Sequence, residues 1–229
     1  MQYTGVLFDK DGTLFHFEHT WSLWAKRLFD ELANGDLPRA VDMARTVGFD
    51  YHTKKFHPDS IIIACTPDMI AEVLAPSVSG QTADQVLSTI NAIAEEVPVV
   101  EAAPLDPLLR GLRSRGMKLG IATNDAEAPA RANLKKAGIT DHFDFIAGFD
   151  SGFGSKPGPG MLLEFSNSMG LRAKDVIMVG DSAHDLVAGR AAGMATVAVL
   201  TGIAKEPELA PHADVVLADV GHLPVWLDR

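Results

Sequence analysis

Short apolar runs that recur between helical stretches constrain this chain more than any other feature. The first covers residues 5–8, Gly-Val-Leu-Phe, and others fall at 118–122, 145–147, 176–179, 196–199 and 215–217. Runs this short, with bounded ends, are expected of strands buried on both faces of a sheet. Helix-period stretches at 125–137, 160–169 and 185–192 lie between them. Strand–helix alternation of this kind predicts an α/β fold, a doubly wound, Rossmann-like parallel sheet.

One stretch breaks the alternation. From 15 to 100 the chain reads as helical, with Trp21, Trp24, Leu28 and Leu32 at helical spacing and Met69, Val73, Val86, Ile90 and Ile93 continuing it. Gly35, Pro38, Pro58, Pro67 and Pro76 divide the stretch into several helices. The expected organisation is therefore a core built from 1–14 and 101–229, interrupted by a helical domain of 15–100.

Composition narrows the function classes. Thirty acidic against twenty basic side chains give a formal net charge of −10, which argues against a broad nucleic-acid surface. The single cysteine, Cys65, excludes a disulfide framework and cysteine-rich metal centres. The first ten residues carry no basic stretch leading into a long apolar one, and no apolar run approaches membrane-spanning length. A soluble, cytoplasmic protein with no nucleic-acid or membrane partner is expected, its oligomeric state open between monomer and homodimer.

In open α/β sheets ligands bind beyond the carboxyl ends of the strands, so the residues there matter most. The first predicted strand runs into Asp9-Lys10-Asp11-Gly12-Thr13, the second into Thr123-Asn124-Asp125. After the third comes Ser155-Lys156-Pro157-Gly158-Pro159, and the fourth ends in Gly180-Asp181-Ser182-Ala183-His184-Asp185. Taken singly, an Asp-Gly is a turn, Lys156 a solvated lysine, Asn124 a helix cap, and Asp181 and Asp185 helix-start acids. Their joint placement is different: hard oxygen donors from Asp9, Asp11 and Asp181 suit Mg²⁺ better than zinc. Lys156 and the Thr123 hydroxyl would complete an anion cradle.

These residues resemble the motifs of the haloacid dehalogenase-like hydrolase superfamily: Asp9-Lys10-Asp11-Gly12-Thr13-Leu14, Thr123-Asn124, Lys156-Pro157-Gly158-Pro159 and Gly180-Asp181-Ser182-Ala183-His184-Asp185. The resemblance covers the predicted core, and the inserted helices resemble a C1-type cap by position. It implies a Mg²⁺-dependent phosphatase acting on a small phosphorylated metabolite, in which Asp9 is the nucleophile and forms an aspartyl-phosphate. Asp11 would be the general acid and base; Thr123, Asn124 and Lys156 would hold the phosphoryl group. The metal would be bound by Asp9, Asp11 (through its main-chain carbonyl) and Asp181, with Asp185 behind them.

Among relatives of that kind, a phosphoglycolate-phosphatase-like activity is the nearest specific expectation, with Lys54 or Arg45 pairing with a substrate carboxylate. His16, His19, His52, His57, Lys55, Phe17 and Trp21 are the other candidates for the lining of the cap. Three alternatives remain open: a β-phosphoglucomutase-type phosphoryl transfer, phosphonate cleavage through a cap lysine, and a non-catalytic phosphate-binding module.

Overall fold

The computed structural model describes residues 3–229. Six parallel strands form one sheet in the order β5-β4-β1-β6-β7-β8. They are β1 (Gly5–Phe8), β4 (Lys118–Ala122), β5 (Phe145–Ala147), β6 (Val176–Gly180), β7 (Ala195–Val199) and β8 (Val215–Leu217). The two short strands numbered between, β2 (Phe49–Asp50) and β3 (Lys55–Phe56), pair only with each other. Strand β1 is central, in register with β4 on one side (Phe8 opposite Ile121) and β6 on the other (Phe8 opposite Val179). The chain thus leaves β1 in both directions, which opens a crevice at its carboxyl end.

The period-two alternation of the strands sends side chains to two cores. Val6, Phe8, Leu119, Ile121, Ile177 and Val179 pack with Leu105, Leu109 and Leu112 of α5 (Leu105–Ser114) and Leu134 of α6 (Glu127–Lys136). Leu7, Ala122 and Met178 face the other way, against Met161 and Phe165 of α7 (Gly160–Ser168) and Ala188 of α8 (Ala183–Ala192). Both edge strands start from the same device. Asp144, ahead of β5, accepts from Leu119 N–H at 3.1 Å, and Asp214, ahead of β8, accepts from Thr196 N–H at 2.8 Å.

Between β1 and α5 the chain builds a separate apolar cluster from α1 (Phe17–Leu32), α2 (Leu37–Thr46), α3 (Pro67–Leu74), α4 (Ala83–Glu96) and the β2–β3 hairpin. Trp24, fully buried, donates its indole N–H to Ile90 C=O at 3.1 Å, joining α1 to α4. Asp36 and Thr82 cap α2 and α4, the latter with a reciprocal bond from Gln85. The helical spacing of Met69 and Val73 does not mark the buried face of α3. They are 50% and 40% exposed, while Ile70 and Leu74, one position on, are buried. The hairpin was also not expected, and the last β6 and first β7 residues extend those strands beyond the predicted runs. Where the segment joins the sheet, its two ends run antiparallel: His16 N–H donates to Val100 C=O and Ala102 N–H to Leu14 C=O. Among the described residues no helix is long and apolar enough to cross a membrane.

Candidate active site

Asp9 follows the last β1 residue, and its N–H still pairs with Val179 C=O at 2.8 Å, so the sheet sets its backbone. The chain then tightens. Leu14 and Phe15 N–H both donate to Lys10 C=O, and Gly12 donates to Phe15 C=O with φ at +81°. A side chain on Gly12 would be strained there and would overlap the Asp181 carboxylate. Asp181, the first residue after β6, accepts from the Thr13 hydroxyl at 3.2 Å. Residues from two strand ends, those of β1 and β6, therefore meet within one loop's width.

Lys156 is the cation of this meeting. Its Nζ lies 2.6 Å from Asp9 Oδ1, 2.7 Å from Asp185 Oδ1 and 2.7 Å from Ala122 C=O. Asp185 is N3 of α8 and closes a capping box with Ser182; its other oxygen accepts from Ser182 N–H at 3.0 Å and from the hydroxyl at 2.7 Å. Both Asp185 oxygens are thus engaged by the protein. Thr123 is buried, and its hydroxyl accepts from Asp125 N–H at 3.1 Å, leaving its own proton to donate.

Asn124 differs from its expected use. Its amide donates to Lys156 C=O (2.9 Å) and Ala64 C=O (3.1 Å) and accepts from Lys156 N–H (2.8 Å). The side chain is spent on holding the Lys156 loop and the inserted segment, so only its main-chain N–H is left to meet an anion.

Burial dominates the electrostatics. It pushes the Asp9 carboxyl up to about 7, against the pull of Lys156, with Asp185 and Asp11 adding to the rise. Burial, then repulsion from Asp9 and Asp185, raises Asp181 well above the carboxylate range. Burial disfavours the Lys156 ammonium, but Asp185 and Asp9 outweigh it and raise that group above an ordinary lysine. Three carboxylates with one ammonium between them make a pocket short of positive charge.

Oxygens of Asp9, Asp181 and Asp185 come within 4.8 Å of one another. An all-oxygen donor set with surplus negative charge fits a hard divalent cation such as Mg²⁺. Asp11, expected beside them, directs its carboxylate elsewhere. Oδ2 lies 2.6 Å from Lys10 Nζ, and Oδ1 is buried with no hydrogen-bond partner among the described residues.

The second charge cluster was not anticipated. Lys10 is fully buried and lies 3.1 Å from Asp125 Oδ2 and 3.0 Å from Asn133 Oδ1, with its ammonium 5.7 Å from the centre of a Trp21 ring. Burial works against this ammonium, yet Asp11 and Asp125 outweigh it and raise its proton affinity. Asp125 is not the first residue of α6; its Oδ1 accepts from Ala126 N–H at 2.8 Å ahead of the helix. Alternation along β1 carries the signal: Lys10 continues the face of Val6 and Phe8, which leads to α6.

Over these groups lies a partly open cleft of about 640 Å³, mouth included. Asp9, Asp11, Thr123, Asn124, Lys156, Asp181 and Asp185 all line it. Phe17, Trp21, Trp24, Ile62, Ile70 and Ile90 form the wall opposite. Of the histidines and cations expected there, none from the inserted segment lines the cleft. His52, Lys54, Lys55 and His57 lie exposed on or beside the hairpin, and Arg45 is exposed on α2, paired with Asp42 at 3.0 Å. His16 and His19 lie side by side outside it, their rings 5.5 Å apart and tilted by 56°.

Residues 6–199 match the family model described as haloacid dehalogenase-like hydrolase. A phosphoglycolate phosphatase of Rhodospirillum rubrum is 38% identical over 120 residues, 52% of this chain and 50% of that protein, so the matched stretch spans about half the relative's length. Pyrophosphatase PpaX of Bacillus pumilus is 27% identical over 210 residues, 90% of this chain and 88% of that protein. A crystal structure of a predicted phosphoglycolate phosphatase from Haemophilus somnus shares the fold at 18% identity, with a TM-score of 0.77 over 100% of this chain and 99% of that one. With the family model covering most of its length, and its motifs gathered at the strand ends around β1, the chain belongs to the haloacid dehalogenase-like hydrolases.

Proposed function

We propose that this protein is a Mg²⁺-dependent phosphatase that hydrolyses a small phosphomonoester through an aspartyl-phosphate on Asp9. The observation that carries the reading is the convergence of the Asp9, Asp181 and Asp185 carboxylates at the crevice beside β1, with Lys156 paired to Asp9 and Asp185. In this reading 1–14 and 101–229 are the catalytic core, and 15–100 is a cap of C1 type.

Asp9 attacks phosphorus with a carboxylate oxygen, and the P–O bond to the leaving alkoxide breaks. Asp11 gives that alkoxide its proton through Oδ1, the oxygen that Lys10 leaves unpaired. Asp11 then takes a proton from the water that attacks the aspartyl-phosphate, and inorganic phosphate leaves with Asp9 restored. Lys156, the Thr123 hydroxyl and the Asn124 main-chain N–H meet the charge on the transferring group. Asp9, Asp181 and the Asp11 carbonyl would hold Mg²⁺, while Asp185 fixes Lys156 in place. When bound, the metal neutralises phosphoryl charge and favours the ionised form of Asp9 that burial disfavours.

The test is phosphate release from p-nitrophenyl phosphate. Turnover should disappear with EDTA, return with Mg²⁺, and be absent in folded Asp9→Asn. Near wild-type activity in contaminant-free Asp9→Asn refutes the reading. A time course with labelled β-glucose 1-phosphate separates hydrolysis from internal phosphoryl transfer, since a mutase would release no free phosphate. Because a relative is a phosphoglycolate phosphatase, phosphoglycolate belongs on the first substrate panel.

A further inference from the structure

We infer that the leaving group this cleft accepts is apolar, an uncharged alkyl or arylalkyl alcohol rather than a hydroxy acid, a polyol or a second phosphate. The inference rests on the phosphatase reading and concerns the half of the cleft that would hold the alcohol. That half is supplied by the inserted segment, and every residue it contributes is apolar or weakly polar, from Phe17 to Ile90. No Lys, Arg, His, Asp, Glu, Ser or Thr of residues 15–100 lines it.

The consequences differ by substrate. A carboxylate or a second phosphate placed against Ile62, Ile70 and Trp24 would lose its hydration with no cation to replace it. Lys156 cannot serve, because it is held on Asp9, Asp185 and Ala122 at the end of the cleft that takes the phosphoryl group. His184, on the core side, is the one other basic residue lining the cleft among the described residues. A polyol would leave hydroxyls unpaired against the same surface. Methylene and ring carbons instead gain burial there, and each added methylene raises discrimination by roughly tenfold or more.

Two polar handles remain in the wall. Trp24 has given its N–H to Ile90 C=O, whereas the Trp21 N–H is buried and has no partner among the described residues. Cys65 offers a thiol, which burial keeps protonated. One acceptor atom on an otherwise apolar alcohol would give the Trp21 donor a partner.

The experiment compares kcat/KM of the Mg²⁺-loaded enzyme for methyl, ethyl, n-butyl and benzyl phosphate with phosphoglycolate, glycerol 3-phosphate and pyrophosphate. The ester leaving groups are all alkoxides, so leaving-group reactivity differs little among them. The expected result is a rise from methyl to butyl, with butyl and benzyl at least about tenfold above the three polar substrates. Ile63→Lys, at a half-buried lining position, should lower the benzyl value and raise that for phosphoglycolate. A polar substrate equal to or better than n-butyl phosphate overturns the inference and leaves the phosphatase reading standing. Equal loss on both esters in a folded Ile63→Lys also overturns it. No turnover on any substrate, with wild type matching Asp9→Asn, removes the phosphatase reading and the inference together.

Discussion

Replacing Lys10 by methionine keeps most of the side chain's length and removes only its charge and donors. Lys10 is fully buried, 2.6 Å from Asp11 and 3.1 Å from Asp125, and the Asp125 Oδ2 it faces has no hydrogen bond from any other described group. The substitution leaves two carboxylates in the interior without their cation, a change that costs about 3–5 kcal/mol in comparable buried pairs. For a chain of this length that is a fall in Tm of roughly 6–20 °C, a large share of the about 5–15 kcal/mol that holds a typical domain together. The pH dependence is a sharper signature. Burial already raises Asp125, and Lys10 is the largest influence pulling it back. Without Lys10 the folded protein binds a proton that the unfolded chain does not, so stability falls as pH rises. The destabilisation should therefore be greatest near pH 8 and shrink towards pH 5, read by urea unfolding at both values. Lys10→Met/Asp125→Asn should recover more than half of the loss. A loss below about 1 kcal/mol at pH 8, or one independent of pH, would refute the reasoning.

Further consequences can be measured on the same preparation. Gly202→Ala would place a methyl group against the Asp181 carboxylate. The Mg²⁺ concentration for half-maximal activity should rise about tenfold or more while Tm changes little, and unchanged metal dependence would count against Asp181 as a ligand. Asn124→Ala frees the Lys156 loop from both its amide bonds, and kcat/KM should fall by up to about 10²-fold, with circular dichroism showing the fold retained. Burial alone would raise the Asp144 carboxyl, but the Leu119 N–H, Lys118 and Arg113 outweigh it and hold it below the ordinary range. Its contribution is present above pH 4 and is lost as pH falls through its lowered pKa. The stability gap between wild type and Asp144→Asn should accordingly narrow between pH 6 and pH 3 in urea titrations.

The strand ends were legible because each motif is local: an apolar run, then the polar residues that the next turn exposes. The alternation leaves the strand order open, and the place of β1 between β4 and β6 comes from the structure. Lys10 was harder, since a lysine between two acids reads as solvated until the face it shares with Phe8 is followed to α6. On α3, Met69/Val73 and Ile70/Leu74 are both i,i+4 pairs one residue apart, and spacing alone does not choose between them. The lining of the cleft was least legible. Which of several helices in 15–100 faces the sheet is decided by packing between remote segments, and local charge at Lys54 or Arg45 carries no information about it.

Asn124 joins two parts that are otherwise described separately. One amide holds the main chain of Lys156 at both N–H and C=O, and the same amide reaches Ala64, in the turn before α3. A displacement of the inserted helices that breaks the Ala64 bond would withdraw one of three restraints on the side chain that aligns Lys156. Linkage then works in both directions: if seating the helices steadies Lys156 and so favours an anion, a bound anion favours the seated helices by the same factor. A single amide would thus make occupancy of the cleft and the position of its roof one equilibrium rather than two.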